Sequence, residues 1–429
     1  MVDRTKAPEA RPITHIDIEQ VQTEHLENGI PFHFIKAGTQ EVVKIELLIN
    51  AGSFREARPQ ASFFALGLLA EGTATKTGSE ISQMVDFYGA QIDTSAGLEF
   101  STVSLYCLTK HCGTLIPLLR ELVEESVFPK EELEILKSRQ LHNLEINRER
   151  PSFVAGNRFK QTLYPDHPYG KPVTEADIEA INREDCLEFH KKWIKNNYQI
   201  LLSGNYDDNT VAEIKKHFGQ NTAYPDSRKR KEVLAQDTQP EKKRITMEKA
   251  MQCSLRIGKR LITKTHPDFF NLSLLNGVLG GYFGSRLMKK IREEKGYTYG
   301  IHSTMIPMIQ DGYWMISADV KAESVDQAIA DIYKEIEILR TEKIPAKELE
   351  LTKNYILGQF LSSITNPFSL AEKFKAVYLY GVGYSYYDDF LENLHNTTPE
   401  DLLATAQKYW DPATMSQVVT GPKPAENED

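Results

Sequence analysis

The stretch Pro129–Lys137, PKEELEILK, is followed later in the chain by a closely similar stretch, Pro345–Lys353, PAKELELTK. Each position of the second stretch lies 216 residues after its counterpart in the first. Further pairs keep this spacing without a gap: Pro151 with Pro367, Glu184–Asp185 with Glu400–Asp401, Leu187 with Leu403, and Lys192–Trp193 with Lys408–Tyr409. An internal repeat of this length indicates that the chain consists of two duplicated halves.

The order of the predicted elements within each half defines the fold class. Hydrophobic periodicity predicts strands, then helices, a second set of strands, more helices and a closing strand. In the first half the predicted helices include Gln60–Ala70, Ser79–Tyr88 and Pro129–Arg150, and the closing strand is Tyr198–Ser203. This order predicts an α+β protein with two homologous halves, each a mixed β-sheet covered on one face by helices.

A charged segment separates the two halves. Residues 226–244, DSRKRKEVLAQDTQPEKKR, have no apolar period. The basic run Arg228–Lys231 has the composition of a nuclear or nucleic-acid-binding signal. Acidic residues lie beside it in an acidic chain, so a solvated linker is favoured. The predicted organisation is an N-terminal half at residues 1–225, this linker, and a C-terminal half at residues 245–429.

The overall composition excludes several classes of function. The 429 residues carry a formal net charge of −9, whereas proteins that bind nucleic acid or anionic membranes need a basic surface. No run of about 18 apolar residues indicates a membrane span, and the N-terminus has no apolar leader core. A cytoplasmic protein without nucleic-acid or membrane partners is therefore predicted.

The four cysteines are predicted to be reduced, structural thiols, because they are scattered and form no C-x-x-C motif. They are Cys107, Cys112, Cys186 and Cys253. Cys107, His111 and Cys112 are close enough in sequence to suggest a metal site. Val103, Leu105 and Cys107 alternate along one face of a predicted strand, however, which favours a core position for Cys107.

The candidate functional segment is Gly280–Gly300, GGYFGSRLMKKIREEKGYTYG. It predicts a helix that carries Arg292, a break at Gly296, and a strand that contains Tyr299. Arg292 and Tyr299 would then lie on either side of a helix-to-strand turn. An Arg offers five fixed donors and a Tyr one hydroxyl, which suits the pair to hold a carbonyl or carboxylate group. The alternative is a surface Arg and a half-buried Tyr, because basic helix ends are common.

Several motifs make the chain resemble the pitrilysin/insulinase-type zinc metallopeptidases, in the short-chain branch that includes mitochondrial processing peptidase. LGGYFGSRL and IREEKGYTY resemble that family's G-G-x-F-x-S-R-L and R-E-x-x-G-x-x-Y signature. Ala51–Glu56, AGSFRE, and the later Glu71–Thr73, EGT, resemble the segments that flank the family's zinc motif. The resemblance covers nearly the whole chain, including the two joined halves.

The zinc motif of the family is absent from this sequence. An H-x-x-E-H helix binds Zn²⁺ through two His, its Glu activates water, and a Glu on a later helix completes the site. Counting back from Glu71–Thr73, the five positions are Phe63–Gly67, and the position of the base is Leu66. The later ligand falls near Asn143, and Glu145 lies on another face of that helix. No two His stand four apart, so no metal is predicted in this chain. A stray ligand pair of His142 with Glu145 is the alternative.

The resemblance implies a role for the second half. In the family, an Arg and a Tyr at this spacing bind the carbonyl of the substrate backbone and help to stabilise the oxyanion. In the family's dimers they come from the chain opposite the zinc. Arg292 and Tyr299 match these positions as catalytic and substrate-binding residues, and Gly280 and Gly281 are expected to pack closely at the bound peptide, together with Gly284.

The sequence therefore predicts the non-catalytic subunit of a heterodimeric zinc metallopeptidase. The expected partner is a homologous subunit that carries H-x-x-E-H and the zinc, and the expected substrates are peptides. The alternative is a catalytically inert peptide-binding or assembly scaffold, as in the processing-peptidase-like core proteins of respiratory complexes. A scaffold has no need to keep Arg292 and Tyr299 at the spacing of the family.

Overall fold

Two mixed β-sheets, one in each half of the chain, form the framework of the fold. The structure, a computed structural model, describes residues 13, 16–195, 197–220 and 235–423. Within these ranges the first sheet has the strand order β1-β2-β6-β3-β5-β4, with β2 and β6 parallel and the other neighbours antiparallel. Its strands are β1 (Gln22–His25), β2 (Pro31–Lys36), β3 (Val42–Ile49), β4 (Gln91–Ala96), β5 (Ser101–Leu108) and β6 (Tyr198–Gly204).

The second sheet repeats this design. Its strand order is β7-β11-β8-β10-β9, with β7 and β11 parallel and the remaining neighbours antiparallel. Its strands are β7 (Lys242–Thr246), β8 (Gln252–Leu261), β9 (Thr298–Pro307), β10 (Gly312–Lys321) and β11 (Ser416–Gly421). In this order β9 is the strand at the edge of the sheet.

Helices cover both sheets. Those of the first half are α1 (Ala61–Gly67), α2 (Gly78–Phe87), α3 (Cys112–Glu125), α4 (Lys130–Arg148), α5 (Pro151–Leu163), α6 (Glu175–Ala180), α7 (Arg183–Phe189) and α8 (Asp208–Phe218). Those of the second half are α9 (Phe269–Gly280), α10 (Val325–Thr341), α11 (Ala346–Ser362), α12 (Pro367–Tyr378), α13 (Ser385–Asn396) and α14 (Pro399–Tyr409). The predicted α+β class, with two mixed sheets covered by helices, is confirmed.

The repeat is visible in the way that equivalent helices begin. Asn182 caps α7 and Thr398 caps α14, and each forms a reciprocal capping box with an Asp three residues later. Pro151 and Pro367 are the first residues of α5 and α12, where a missing backbone N–H costs nothing. The same local signals therefore start the same elements in both halves.

Each sheet also contacts a helix from the other half. α12 packs on β2 and β6 of the first sheet, and α5 packs on β8 and β11 of the second. Leu48 and Leu201 contact Ala371 and Phe374 of α12, on the face of the first sheet opposite its own helical core. The two halves thus share part of their packing through one exchanged helix each.

One boundary of the predicted linker is wrong. β7 begins at Lys242, inside the predicted linker 226–244, and pairs in parallel with β11. Residues 235–241 have no regular structure. The rest of the predicted linker, including the basic run Arg228–Lys231, lies outside the described residues.

The cysteines of the chain lie inside the fold. All four cysteines are buried and free, and Cys107 lies in the core of the first half, as predicted. The Sγ atoms of Cys107 and Cys112 lie 3.8 Å apart. Within the part of the chain that the structure describes, no helix combines the length and the apolar character needed to cross a bilayer.

Candidate functional site

Arg292 lies on a π-helix that follows α9. This π-helix spans Met288–Glu294. Turns of this kind are rare and often occur at functional sites. Leu287, Met288 and Ile291 are buried in the core of the second half, so this side of the turn is fixed by packing. Arg292 lies outside that core, at the boundary with solvent.

An ion pair anchors the beginning of the π-helix to α11. Arg286 Nε donates to Glu348 Oε1 at 2.8 Å, and Arg286 Nη2 donates to Glu348 Oε2 at 2.9 Å. The Arg286 side chain is only 14% exposed. A two-pronged pair of this geometry restricts both side chains. The segment that leads to Arg292 is therefore fixed both by its buried apolar side chains and by the ion pair between Arg286 and Glu348.

A β-bulge places Tyr299 at the beginning of β9. Ile301 is opposite Ala318 and Thr298 is opposite Val320, so two residues of β9 face one residue of β10. The Thr298 hydroxyl lies 2.6 Å from the Asp319 carbonyl oxygen and accepts a hydrogen bond from the backbone N–H of Gly300 at 3.1 Å. Bulges of this kind redirect a side chain relative to the regular pleat. The Tyr299 side chain is 92% exposed.

The structure brings the two predicted site residues into contact. Gly296 has a φ of +65°, which reverses the chain after the π-helix. The Nε of Arg292 then donates to the backbone carbonyl of Tyr299 at 3.0 Å. This contact uses the main chain of Tyr299, and it leaves the Tyr299 ring exposed.

Among the described residues, no carboxylate oxygen lies within hydrogen-bonding distance of the Arg292 guanidinium. Its guanidinium carbon lies 4.7 Å from the centre of the Phe283 ring. The carboxylate oxygen Glu293 Oε1 forms an ion pair with Arg292 at 3.7 Å from Nη1, which is too far for a hydrogen bond. The guanidinium is thus oriented by a carbonyl and an aromatic face, and its terminal nitrogens remain available.

Arg292 and Tyr299 line a cleft of about 520 Å³ together with Gln252, Glu293 and Lys321, among others. The cleft lies beside β9, the edge strand of the second sheet. No described strand pairs with the outer side of β9, and such an edge is a template for an added strand. The arrangement therefore combines backbone hydrogen-bonding groups with two cations, Arg292 and Lys321, the carboxylate of Glu293 and the hydroxyl of Tyr299.

The predicted glycines differ in their surroundings. Gly280 is buried, and a Cβ added to it would lie 2.6 Å from Ser303 Cβ on β9. Gly281 is exposed, and a Cβ added to Gly284 would lie 2.6 Å from the ring of Tyr282. The structure thus places Gly280 where α9 meets β9. A contact of Gly280 or Gly281 with substrate stays a prediction.

Two family models match this chain. The model described as "Insulinase (Peptidase family M16)" matches residues 34–177, and the model described as "Peptidase M16 inactive domain" matches residues 180–356. The chain belongs to the M16 peptidase family. The resemblance expected from the sequence motifs is thereby confirmed.

Curated relatives of this M16 chain are named zinc proteases. It is 25% identical over 345 residues to an "uncharacterized zinc protease" of Bacillus subtilis (strain 168), covering 79% of this chain and 83% of the relative. It is 22% identical over 418 residues to another of Rickettsia bellii (strain RML369-C), covering 94% and 98%.

Two solved structures have the same fold as this chain. A Pseudomonas fluorescens structure described as a peptidase M16 inactive domain superposes with a TM-score of 0.84 at 25% identity, over 94% of this chain and 98% of that one. A protease from Helicobacter pylori superposes with a TM-score of 0.82 at 17% identity, over 95% and 100%. The second likeness concerns the fold alone.

The positions that the sequence motifs predict for the zinc site, Phe63–Gly67, lie on α1. Phe64, Ala65 and Leu66 are completely or almost completely buried in the core of the first half. None of the five side chains of Phe63–Gly67 carries a metal-binding atom. Across the described ranges, no cluster of three or more His, Cys, Asp or Glu could hold a metal ion. The helix instead serves the apolar core.

The alternative ligand pair on α4 lies in solvent. His142 Nδ1 is 3.8 Å from Glu145 Oε2, and the two side chains are largely exposed. Asn143, near which the third ligand was expected, is also exposed. A pair of exposed side chains on one helix does not make the three- or four-ligand site that zinc requires.

Two titratable groups with large pKa shifts lie elsewhere. Burial lowers the pKa of His33 to about 4, and burial together with the nearby charge of Lys373 lowers the pKa of Lys264 to about 8. His33 lies against the rings of Phe374 and Tyr378, where the first sheet meets α12. Neither group lines the cleft.

Sequence reasoning missed three residues that shape the site: Phe283, Thr298 and Glu348. Phe283 lies inside the family signature, which was the one available signal. Thr298 has no sequence pattern that marks a bulge, because the bulge is defined by the register with β10. Glu348 belongs to the internal repeat, but its contact with Arg286 spans 62 residues and could not be inferred from spacing.

Proposed function

We propose that this chain is the non-catalytic subunit of a heterodimeric zinc metallopeptidase. It would contribute Arg292 and Tyr299 to a zinc site that a homologous partner with H-x-x-E-H provides. The supporting observation is the combination of an Arg292 guanidinium that donates to a carbonyl and lies against an aromatic ring, with the Glu293 carboxylate 3.7 Å away, and an exposed Tyr299 beside a strand edge that no described strand pairs with. At the positions of the zinc motif the same chain has only apolar side chains and a glycine.

Each part of the site has a chemical task in this proposal. A peptide segment adds to the outer side of β9 and aligns its backbone carbonyls along the cleft. The terminal nitrogens of Arg292 and the hydroxyl of Tyr299 donate to the carbonyl oxygen as it becomes an oxyanion. Zinc in the partner supplies Lewis-acid activation of the attacking water. The chain alone is then inactive, and its proposed location is the cytoplasm.

The test uses the full chain with an H-x-x-E-H homologue from the same source. We expect zinc and peptidase activity to be absent from this chain alone, and activity to appear on mixing. In the complex, Arg292→Ala should lower kcat about 100-fold or more, and Tyr299→Phe should lower it in the same direction, since each removes an oxyanion donor.

The matched control is Arg58→Ala. It removes another partly exposed guanidinium, in the first half, which pairs with Asp185 at 3.0 Å. This variant should retain the activity of the complex. Activity on mixing that is insensitive to Arg292→Ala would refute the proposed role, and no activity in any combination would favour the scaffold instead. Stoichiometric zinc in the chain by itself would contradict the assignment of Phe63–Gly67.

A further inference from the structure

Phe283 is a large apolar residue that the fold leaves in solvent. It lies in the turn between α9 and the π-helix, and its side chain is 62% exposed. Its neighbour Tyr282 anchors this turn by stacking on Tyr355, with ring centres 4.5 Å apart. Exposure of a phenyl ring forfeits the free energy that its burial would provide. Packing of the turn therefore does not explain the presence of Phe283.

The Phe283 ring forms a cation–π contact with the guanidinium of Arg292. The guanidinium carbon lies 4.7 Å from the ring centre, inside the range of about 6 Å for a cation–π interaction. The second anchor of this side chain is the hydrogen bond from its Nε to the Tyr299 carbonyl, at 3.0 Å. The ring and the carbonyl together restrict both the position and the plane of the guanidinium.

Arg286, in the same motif, shows what a carboxylate would do instead. Its guanidinium forms a two-pronged pair with Glu348 at 2.8 and 2.9 Å. Such a partner occupies the donors of the guanidinium and compensates its charge. An aromatic face orients a guanidinium without accepting any of its N–H groups in a conventional hydrogen bond. The Phe283 ring thus contacts the Arg292 guanidinium without occupying its N–H groups, and the Glu293 carboxylate, 3.7 Å from Nη1, is too far to accept a hydrogen bond.

We propose that Phe283 is a positioning residue for Arg292, which keeps the guanidinium against the Tyr299 carbonyl with its terminal nitrogens directed to a peptide substrate. This inference rests on the proposed function of Arg292, but the contact itself is testable on the chain alone. A cation–π attraction of the size usual at exposed sites shifts the equilibrium constant between the held and the released conformer about two- to five-fold.

The first experiment measures the Nε–H group of Arg292 by NMR in the full chain labelled with ¹⁵N-arginine. Loss of one resonance in Arg292→Lys identifies the signal. Phe283→Leu should speed the exchange of this proton with water about two- to five-fold, because the hydrogen bond to Tyr299 is then formed less of the time. Phe283→Tyr keeps the aromatic face and should restore the slow exchange.

The control is Phe87→Leu, which removes another exposed ring, 81% accessible, that packs on Tyr88. It should leave the Arg292 signal unchanged, and thermal unfolding of all variants should show that they are folded. Exchange in Phe283→Leu that equals the wild-type rate would overturn the positioning role. So would a rate that Phe283→Tyr does not restore.

The second experiment separates this inference from the proposed function. In the active complex, Phe283→Leu should lower kcat by at most about five-fold with little change in KM, because positioning acts on the transition state. An unchanged kcat together with an unchanged Nε–H exchange rate, in a complex that loses activity with Arg292→Ala, would overturn the inference. If Arg292→Ala itself leaves activity intact, the proposed function fails, and Nε–H exchange alone decides whether Phe283 holds Arg292.

Discussion

Replacement of Gly280 by Ala tests how α9 and the functional segment are seated on the second sheet. The added Cβ would lie 2.6 Å from Ser303 Cβ, 2.8 Å from Ser303 N and 3.1 Å from Leu287 Cδ1. The closest neighbours belong to β9 itself, so they cannot rotate away as a flexible side chain would. α9 must instead move outward by about 1 Å to reach an ordinary contact distance.

This shift has a defined cost. Overpacking of a well-packed contact typically destabilises by about 1–3 kcal/mol. The movement also strains the hydrogen bonds of Trp314 Nε1, which donates to Asn276 Oδ1 on α9 at 2.9 Å and to Ser303 Oγ on β9 at 2.7 Å. We therefore expect Gly280→Ala to lower the free energy of unfolding by about 2 kcal/mol.

Gly358→Ala is the matched control. Gly358 lies in the interior of α11, and a Cβ added there meets no other atom within 4 Å. The same chemical change should here stabilise the protein by about 0.5–1 kcal/mol, because Ala is the better helix former. The two variants should therefore shift the midpoint of urea unfolding in opposite directions, as followed by circular dichroism.

Two outcomes would refute this reasoning. One is a Gly280→Ala protein that is as stable as the wild type. The other is a Gly280→Ala complex in which KM for a peptide rises while the free energy of unfolding is unchanged. The second result would mean that Gly280 contacts the substrate and does not serve mainly to seat α9 on β9.

Three further predictions concern Thr298 at the β-bulge, the ion pair between Arg286 and Glu348, and the buried His33. Thr298→Val should destabilise by about 1–2 kcal/mol in urea unfolding and lower kcat of the complex, because the hydroxyl that holds the bulge is lost; an unchanged kcat would show that the bulge does not place Tyr299. Glu348→Gln should cost about 1–3 kcal/mol by weakening the pair with Arg286, and stability equal to the wild type in the same assay would contradict this. The pKa of His33 falls from 6.5 to about 4 on folding, so between these pH values the unfolded chain binds more protons, and stability should fall as pH falls from about 6.5 to about 4. Urea unfolding of wild type and His33→Phe across this range should show a pH-dependent difference of up to about 3 kcal/mol, and parallel curves would refute it.

Local signals in the sequence were enough to predict the elements and their repetition. The reciprocal capping boxes at Asn182 and Thr398 depend on residues three positions apart, and the apolar alternation of β3 depends on residues two positions apart. Interactions of such short range have the same outcome in most surroundings. The α+β class followed from the hydrophobic periodicity, and the duplicated halves followed from the constant spacing of 216 residues between matching positions.

The start of β7 could not be predicted from local sequence signals. Its five residues, KKRIT, are mostly charged and have no buried face in the sequence pattern. They form a strand because the backbone of β11 offers a row of hydrogen-bonding groups, more than 170 residues away in the chain. Backbone pairing is nearly independent of side-chain type, so composition favoured a linker up to Arg244.

For the site, the motif identified Arg292 and Tyr299, and the spacing placed them on either side of a turn. The direction of the Tyr299 ring depends on a register shift against β10, and the restraint on Arg292 depends on Phe283. Both are contacts that form only when the turn has folded onto its sheet. The sequence thus predicted the chemical groups of the candidate site, and the fold decided how they are held.

By itself, the sequence determined that the chain has two α+β halves, contains no H-x-x-E-H motif, and carries an Arg and a Tyr seven residues apart in its second half. Only the tertiary structure decided that α5 and α12 cross to the other half, and that Arg292 is held by a ring and a carbonyl in place of a carboxylate. The physical reason is the range of the interactions. Periodicity and caps act over a few residues, whereas the choice of a packing partner depends on the shape and polarity of surfaces that are distant in the chain.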